Sequence, residues 1–291
     1  MGITSGIEWT NSTFNPWIGC TKIASTHGSA CDFCYAVQFG RRLGVEWGNH
    51  DRKRTRAEYW KQLPKWNADG PRFIRAHGHR QRVFSASLAD WLDNQVDPQW
   101  RYDFCHEIDR APNLDFLLLT KRPQNYRKLV PDNWKDGPPP NVWLGVTVED
   151  RERYIERFTH IAKIPASIYF LSYEPGLGPL GDHDIGVGKV PDWVISGGES
   201  GVARERVRLI PPSGVREARD QCAANGTAFF HKQWGNYWNN PLVLEQGLTV
   251  SEARAIDPDD GPNKHGKGGG LLDGKLYRAF PTPRAAYAAA S

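Results

Sequence analysis

The chain has 291 residues, 39% of them hydrophobic and 24% charged, with a net charge of +4. That is enough to bury one large core, no apolar run approaches the length of a membrane span, and so small a charge permits an anionic partner without demanding one. Five cysteines, an odd number, and an opening MGITSGIEWTNSTF with neither a basic nor an apolar stretch argue against a secreted disulfide framework, so the expected compartment is cytoplasmic and reducing.

In chain order, a first strand is expected near TFNPWIG. Behind it Cys20, Cys31 and Cys34 crowd into a loop rich in Gly, Ser and Thr, a composition that does not bury thiols. Cys31 and Cys34 form a C-x2-C pair able to ligate one metal centre. Two readings compete: structural zinc with His27 as fourth ligand, or a [4Fe–4S] cluster held by three thiolates with one iron left open. The basic run HDRKRTRAEYWKQ, which carries Arg52 to Lys61, is either a solvated helix face or a phosphate-binding strip.

Six further apolar runs follow, RVFSAS, DFLLLT, NVWLGVT, SIYFLS, DWVISGG and AFFHK. They end near Ser87, Thr120, Thr147, Ser172, Gly197 and Lys232, spaced 25 to 35 residues apart, the length of a βα unit. Helical periodicity fills three gaps. PQWRYDFCHEIDRA aligns Trp100, Phe104 and Ile108; DRERYIERFTHIAKI aligns Tyr154, Ile155, Phe158 and Ile161; PPSGVREARDQCAANG aligns Val215, Ala218 and Cys222 before a Gly226 cap. Cys105 and Cys222 sit on these helices as small buried hydrophobes. The expected class is α/β: a TIM-like (β/α) barrel, complete or partial, of six to seven units over residues 1–236. A loop-rich extension, 237–291, then packs on the barrel or lids it. An open doubly wound sheet is the runner-up, although no glycine-rich dinucleotide fingerprint follows the first strand.

In such barrels chemistry sits where strands end. Lys121, Glu174 and Lys232 are the candidate catalytic groups there. Ser87, Asp90, Thr147, Glu149, Gly197, Gly198 and Glu199 are the candidate cofactor contacts. A charge at a strand end is costly unless it meets a partner or a ligand, and the plain alternative is a ring of mutual ion pairs.

The aromatic residue inside CDFCYA (Phe33) and the place of that motif after strand one resemble the radical SAM superfamily. More narrowly, the chain resembles the phage and bacterial three-Cys-motif family within it, through IEWTNSTFNPWIGCTK, CDFCYA, LLLTKRP, NVWLGVTVED, FLSYEPGLGPL, WVISGGESG, RDQCAANGTAFFHKQWG and LLDGKLYRAFP. These stretches span nearly the whole chain. The resemblance implies a barrel and a [4Fe–4S] cluster on Cys20, Cys31 and Cys34. It further implies S-adenosylmethionine chelated at the open iron and an electron donor, with radical chemistry begun by reductive cleavage of the sulfonium. It does not imply a particular reaction. The superfamily's C-x3-C-x2-C spacing widens here to ten residues in its first gap. Its Gly-Gly-Glu after strand two is replaced by SASLAD, while GGES follows the sixth run. Ser87 and Asp90 are then expected to take the amino group of S-adenosylmethionine, unless its site is rebuilt, with Glu199 a further polar contact. For substrate, the basic run, Lys121, Arg122, Lys232 and the abundant aromatics favour a nucleic-acid base or nucleotide. The alternative from another class is a zinc-containing nucleic-acid-binding protein. No membrane partner is expected.

Overall fold

A computed structural model describes residues 5–24, 28–199, 208–257 and 267–283. Seven strands form its main sheet: β1 (Ser12–Phe14), β2 (Gln81–Ser85), β3 (Leu114–Thr120), β4 (Val142–Thr147), β5 (Ile168–Tyr173), β6 (Trp193–Gly197) and β7 (Ala228–Gln233). Every neighbouring pair is parallel, and the spatial order is the chain order. A doubly wound sheet reverses its order at a switch point, so that alternative is not the topology here. Right-handed crossovers between strands taken in order put the connections on one face, and the sheet curls into a half-barrel with β1 and β7 at its edges.

Five helices of eight residues or more are described: α1 (Tyr35–Arg42), α2 (Gln62–His77), α3 (Pro98–Asp109), α4 (Arg151–Ile161) and α5 (Pro212–Asn225). α3 starts at an Asp97 cap with Pro98 in its first turn, and α5 stops at Gly226, whose φ of 65° is left-handed. The β3–β4 connection holds only short turns at Pro123–Asn125, Tyr126–Leu129 and Asp132–Trp134, because prolines at 123, 131 and 138–140 deny a helix its donors. On α4, Tyr154, Phe158 and Ile161 are buried as expected, but Ile155 is exposed: one residue round from Tyr154, it leaves the apolar stripe.

Strict alternation divides the strand residues between two cores. Val83, Phe116, Leu118, Leu144, Leu171 and Val194 face the helices. Phe84, Leu117, Trp143, Phe170, Ile195 and Phe230 face the concave side. The concave floor is closed by both ends of the chain. Trp9 packs on Phe84, with ring centroids 4.7 Å apart, and Phe280 packs on Trp193 at 5.3 Å. Beyond residue 236 the chain lays Tyr277 to Ala279 along the β7 edge, where the His231 amide donates to the Tyr277 carbonyl and the Ala279 amide to that of Phe229. That run covers an edge that would otherwise present unpaired amides. Among the described residues no helix is long and apolar enough to cross a membrane.

Candidate cofactor site

The polar row on the concave side is set by strand register. Thr120 pairs with Val146 and Thr147 with Ser172, so Lys121, Thr147 and Ser172 lie side by side above the aromatic floor. Gly145 makes room beneath them, since a Cβ there would stand 2.2 Å from Cζ of Phe170. Farther along the row Lys232 and Glu174 form an ion pair of 3.0 Å, both largely buried. Gly197 lies between them, and a Cβ on it would come within 2.5 Å of Glu174 Oε1. Gly198 is similarly confined, its absent Cβ falling 2.2 Å from the Trp234 carbonyl oxygen. Both glycines are therefore needed for close packing of the β6 end, Gly197 against the residue after β5 and Gly198 against the residue after β7.

The strand-end carboxylates have partners, which favours the ion-pair ring over free cofactor contacts. Asp90 accepts from the Thr120 hydroxyl (2.6 Å), the Leu92 amide (3.0 Å), the Lys121 amide (3.0 Å) and Arg122 Nη1 (2.9 Å). Four donors occupy the four lone-pair positions of that carboxylate, so it organises the β2 and β3 ends. Glu199 binds Arg208 with Oε1 2.6 Å from Nη2, rather than Lys121 or Lys232. Glu149 accepts from Arg157 (2.8 Å) and, with its other oxygen, from the Ala30 amide (2.9 Å). Ser87 exchanges hydrogen bonds with the Asn15 amide group at the β1 end.

The cysteine loop is tied into this ring. Arg208 donates to the Ser29 carbonyl (2.9 Å) and to Asp32 (3.2 Å), and its guanidinium lies 5.1 Å from the centre of the Phe33 ring. Arg122 donates to the Thr21 carbonyl and stands 3.6 Å from Cys20 Sγ. Burial, with Asp90 adding and Arg122 opposing, pushes the Cys20 thiol up to about 12. Lys121 is the counterpart on the other side. Burial works against its charge, but the fields of Cys31, Cys34, Glu149 and Asp90 outweigh it and raise its pKa. Cys20 thus stands against Arg122, and the charges of Cys31 and Cys34 act on Lys121, the neighbouring residue at the end of β3. Tyr35, next to Cys34, directs its hydroxyl to the Ser87 carbonyl (3.0 Å), and burial, then Cys34 and Glu174, raise its pKa, so it keeps its proton.

Whether these residues suit a metal centre depends on type and on placement. The type is right: three soft thiolate donors beside two cations able to offset their charge. The placement is incomplete, since among the described residues no three His, Cys, Asp or Glu side chains are close enough together to hold an ion. All five cysteines are free, and His27 lies outside the described residues. One polar group of the row has no partner: Thr147 Oγ1 is buried and unbonded.

The basic run is corrected by its partners. Arg52 is not a phosphate contact. It is buried against Asp93, 2.6 Å away, and also donates to the Gly48 and His50 carbonyls, so its guanidinium is committed to the fold. Arg54 pairs with Asp103 at 2.7 Å and stacks over Trp60. Arg208 and Tyr35 were missed at the sequence level. The only signals were an arginine in the loop after GGES and an aromatic residue directly after the last thiol, and neither spacing points to the cysteines.

The family described as a protein of unknown function (DUF5131) matches residues 4–281. The chain belongs to the DUF5131 family. No curated protein matches it, and no solved structure does. For this DUF5131 member the functional reading therefore rests on residues and geometry.

Proposed function

We propose that this protein is a radical SAM-type iron–sulfur enzyme on a partial TIM-like barrel, working in a reducing compartment. The observation that carries the reading is that Cys20 stands against Arg122 while the loop bearing Cys31 and Cys34 is tied by Arg208 and Glu149 to the same strand-end edge of a parallel sheet in chain order. Cys20, Cys31 and Cys34 would hold the cluster. With S-adenosylmethionine bound, such a cluster would supply the electron for sulfonium cleavage and radical chemistry.

The protein's own residues do the rest. Arg208 and Glu149 hold the 28–34 loop against the strand ends. Lys121 and Arg122 offset thiolate charge. Thr147 and Lys121 offer a hydroxyl and an ammonium on neighbouring strands for an anionic group. Glu174 and Lys232 fix the far side of the row, and Tyr35 keeps a proton on its hydroxyl beside Glu174. The aromatic floor excludes water.

For substrate we retain a nucleic-acid base or nucleotide. Its support narrows to Lys121 and to a groove of about 620 Å³ beside the basic run, lined by Arg54, Trp60, Lys61, His106 and Arg110 together with Asp103 and Glu107.

Protein purified without oxygen, or reconstituted with iron and sulfide, should carry about four irons per chain. With a reductant and S-adenosylmethionine it should release 5′-deoxyadenosine. Cys20→Ala, Cys31→Ala and Cys34→Ala should each lose the iron, whereas Cys105→Ala should keep it at lower stability. Stoichiometric zinc with no iron uptake would overturn the reading. Gel shifts with single- and double-stranded DNA and RNA at low salt test the substrate class. No binding there would remove the polymer.

A further inference from the structure

The end of the half-barrel opposite the thiol loop carries a cation with nothing to bind. Arg82 and Asp115 are register partners on β2 and β3. Alternation puts both on the concave face, two residues below Phe84 and Leu117. Neighbours so placed would ordinarily close into an ion pair. Here Asp115 turns instead to Arg80, 3.6 Å away. Among the described residues the Arg82 guanidinium has no ion pair and no hydrogen bond, and its Nε is buried. Burial lowers its pKa, and Asp115 opposes this only in part.

Aromatic rings hold this guanidinium by its faces. Its Cζ lies 4.0 Å from the centre of the Phe280 ring and 5.8 Å from that of Trp143. Such rings stabilise the cation but leave its edge without an acceptor, and that edge is the planar fork of N–H donors that fits a carboxylate or a phosphate bidentately. A second, independent set of donors belongs to the same cluster. Trp9 and Trp143 are each 2% exposed, and neither indole N–H has an acceptor. An indole can only donate, and when buried it usually finds a partner. Trp193, whose ring stands edge-on to both at 6.2 Å, gives its N–H to the Ala279 carbonyl at 2.9 Å. Its two neighbours lack what Arg82 lacks.

The missing partner is an acceptor that carries negative charge. Water would satisfy the N–H groups but would leave the charge of Arg82 without a counter-charge. We propose that Arg82, with the indole N–H groups of Trp9 and Trp143, binds an oxyanion, the carboxylate or phosphate group of a small molecule. Arg82 as a whole is only partly buried, so the site opens to solvent. It lies toward the starts of β2 to β4, whereas the row of Lys121 and Thr147 lies at their ends, so its occupancy does not depend on the iron–sulfur reading. It also joins Trp9 from one end of the chain to Phe280 from the other, and a bound anion would tie both to the concave floor.

The test uses the whole chain, with acetate and inorganic phosphate as probes and chloride holding the ionic strength constant. One or both probes should raise the melting temperature saturably. In proton–nitrogen correlation spectra the indole N–H signals of Trp9 and Trp143, assigned through Trp9→Phe and Trp143→Phe, should move downfield as the probe saturates, while that of Trp193 stays. Preference for phosphate identifies a phosphate ester as the ligand, and preference for acetate a carboxylic acid. Arg82→Gln should weaken binding about tenfold or more, and Arg82→Lys, which keeps the charge without the fork, several-fold. Asp115→Asn should tighten it, because a carboxylate that competes for Arg82 is gone. That variant leaves every donor in place and decides the matter if Arg82→Gln does not fold. No saturable effect of either probe, indole signals that do not move, or an affinity unchanged by Arg82→Gln or by Asp115→Asn would overturn the proposal and leave only bridging water at these donors.

Discussion

The strands β3 to β5 and the segment from Asn15 to Trp60 are built in opposite ways. The strands are apolar on both faces, and each side chain is one of many filling two continuous cores. The cysteine segment owes its shape to a few charged groups whose partners lie far away in sequence: Arg52 on Asp93, Arg122 on Thr21, Arg208 on Ser29, Glu149 on Ala30. Burial is additive and tolerant of exchange, whereas a buried charge with a single partner is not. The difference teaches that stability is spread through the sheet but concentrated in the loop that bears the thiols.

The largest way to break this comparison is to remove one charge. Asp93→Ala leaves the Arg52 guanidinium buried without its counter-charge, and we expect a loss of about 3–5 kcal/mol by urea denaturation. Arg52→Met together with Asp93→Leu should recover part of it, because Arg52 is then no longer stranded, although the buried Arg101 still loses the charge of Asp93. In the sheet, the volume-conserving Leu144→Met should cost under about 1.5 kcal/mol. Equal losses for Asp93→Ala and Leu144→Met would remove the distinction.

Acid should discriminate between the regions next. Among the described residues the fully buried histidines, His183 and His231, lie outside the cysteine segment. Burial lowers His183 to about 4, with Asp182 opposing, and His231 to about 3, with Arg278 assisting. Below the ordinary value near 6.5 the unfolded chain takes up these protons while the folded chain does not. Stability should therefore be complete above pH 6.5 and fall as the pH drops toward 4. At pH 5 the loss is about 2 kcal/mol per imidazole. Neither ring nitrogen of His183 has a partner. His183→Leu should thus flatten the acid slope by one proton without loss at neutral pH, as read from thermal melts at pH 7.5 and pH 5.

What could be read from the sequence follows the same division. Periodicity locates the strands because each apolar face is a local pattern, and chain-ordered parallel topology follows from their spacing. The cysteines stood out by composition alone. Their supports did not: Arg208 is more than 170 residues from Ser29, and nothing in RERVRLI marks one arginine over another. Asp90 and Glu199 suggested ligand contacts because a lone carboxylate at a strand end needs a partner, and a sequence does not show that Arg122 and Arg208 supply it. At Gly197 and Gly198 a further constraint was hidden from the sequence: a Cβ would meet Glu174 and Trp234.

The finest test separates charge from geometry at Arg208. Its side chain keeps Glu199 neutralised and at the same time reaches the Ser29 carbonyl, Asp32 and the face of Phe33. Arg208→Met would strand Glu199 and confuse the two roles. Arg208→Lys keeps a cation for Glu199 but loses the planar fork, since an ammonium cannot span the carboxylate, the carbonyl and the ring together. Global stability should change by less than about 1 kcal/mol, because the buried carboxylate stays paired. The 28–34 loop should nonetheless loosen. Its Ala30 amide, left with Glu149 as its tether, should exchange hydrogen faster than in wild type, while amides of β3 to β5 exchange unchanged. Exchange that quickens throughout the sheet would mean that Arg208 supports the fold as a whole, and the two regions would then be one cooperative unit.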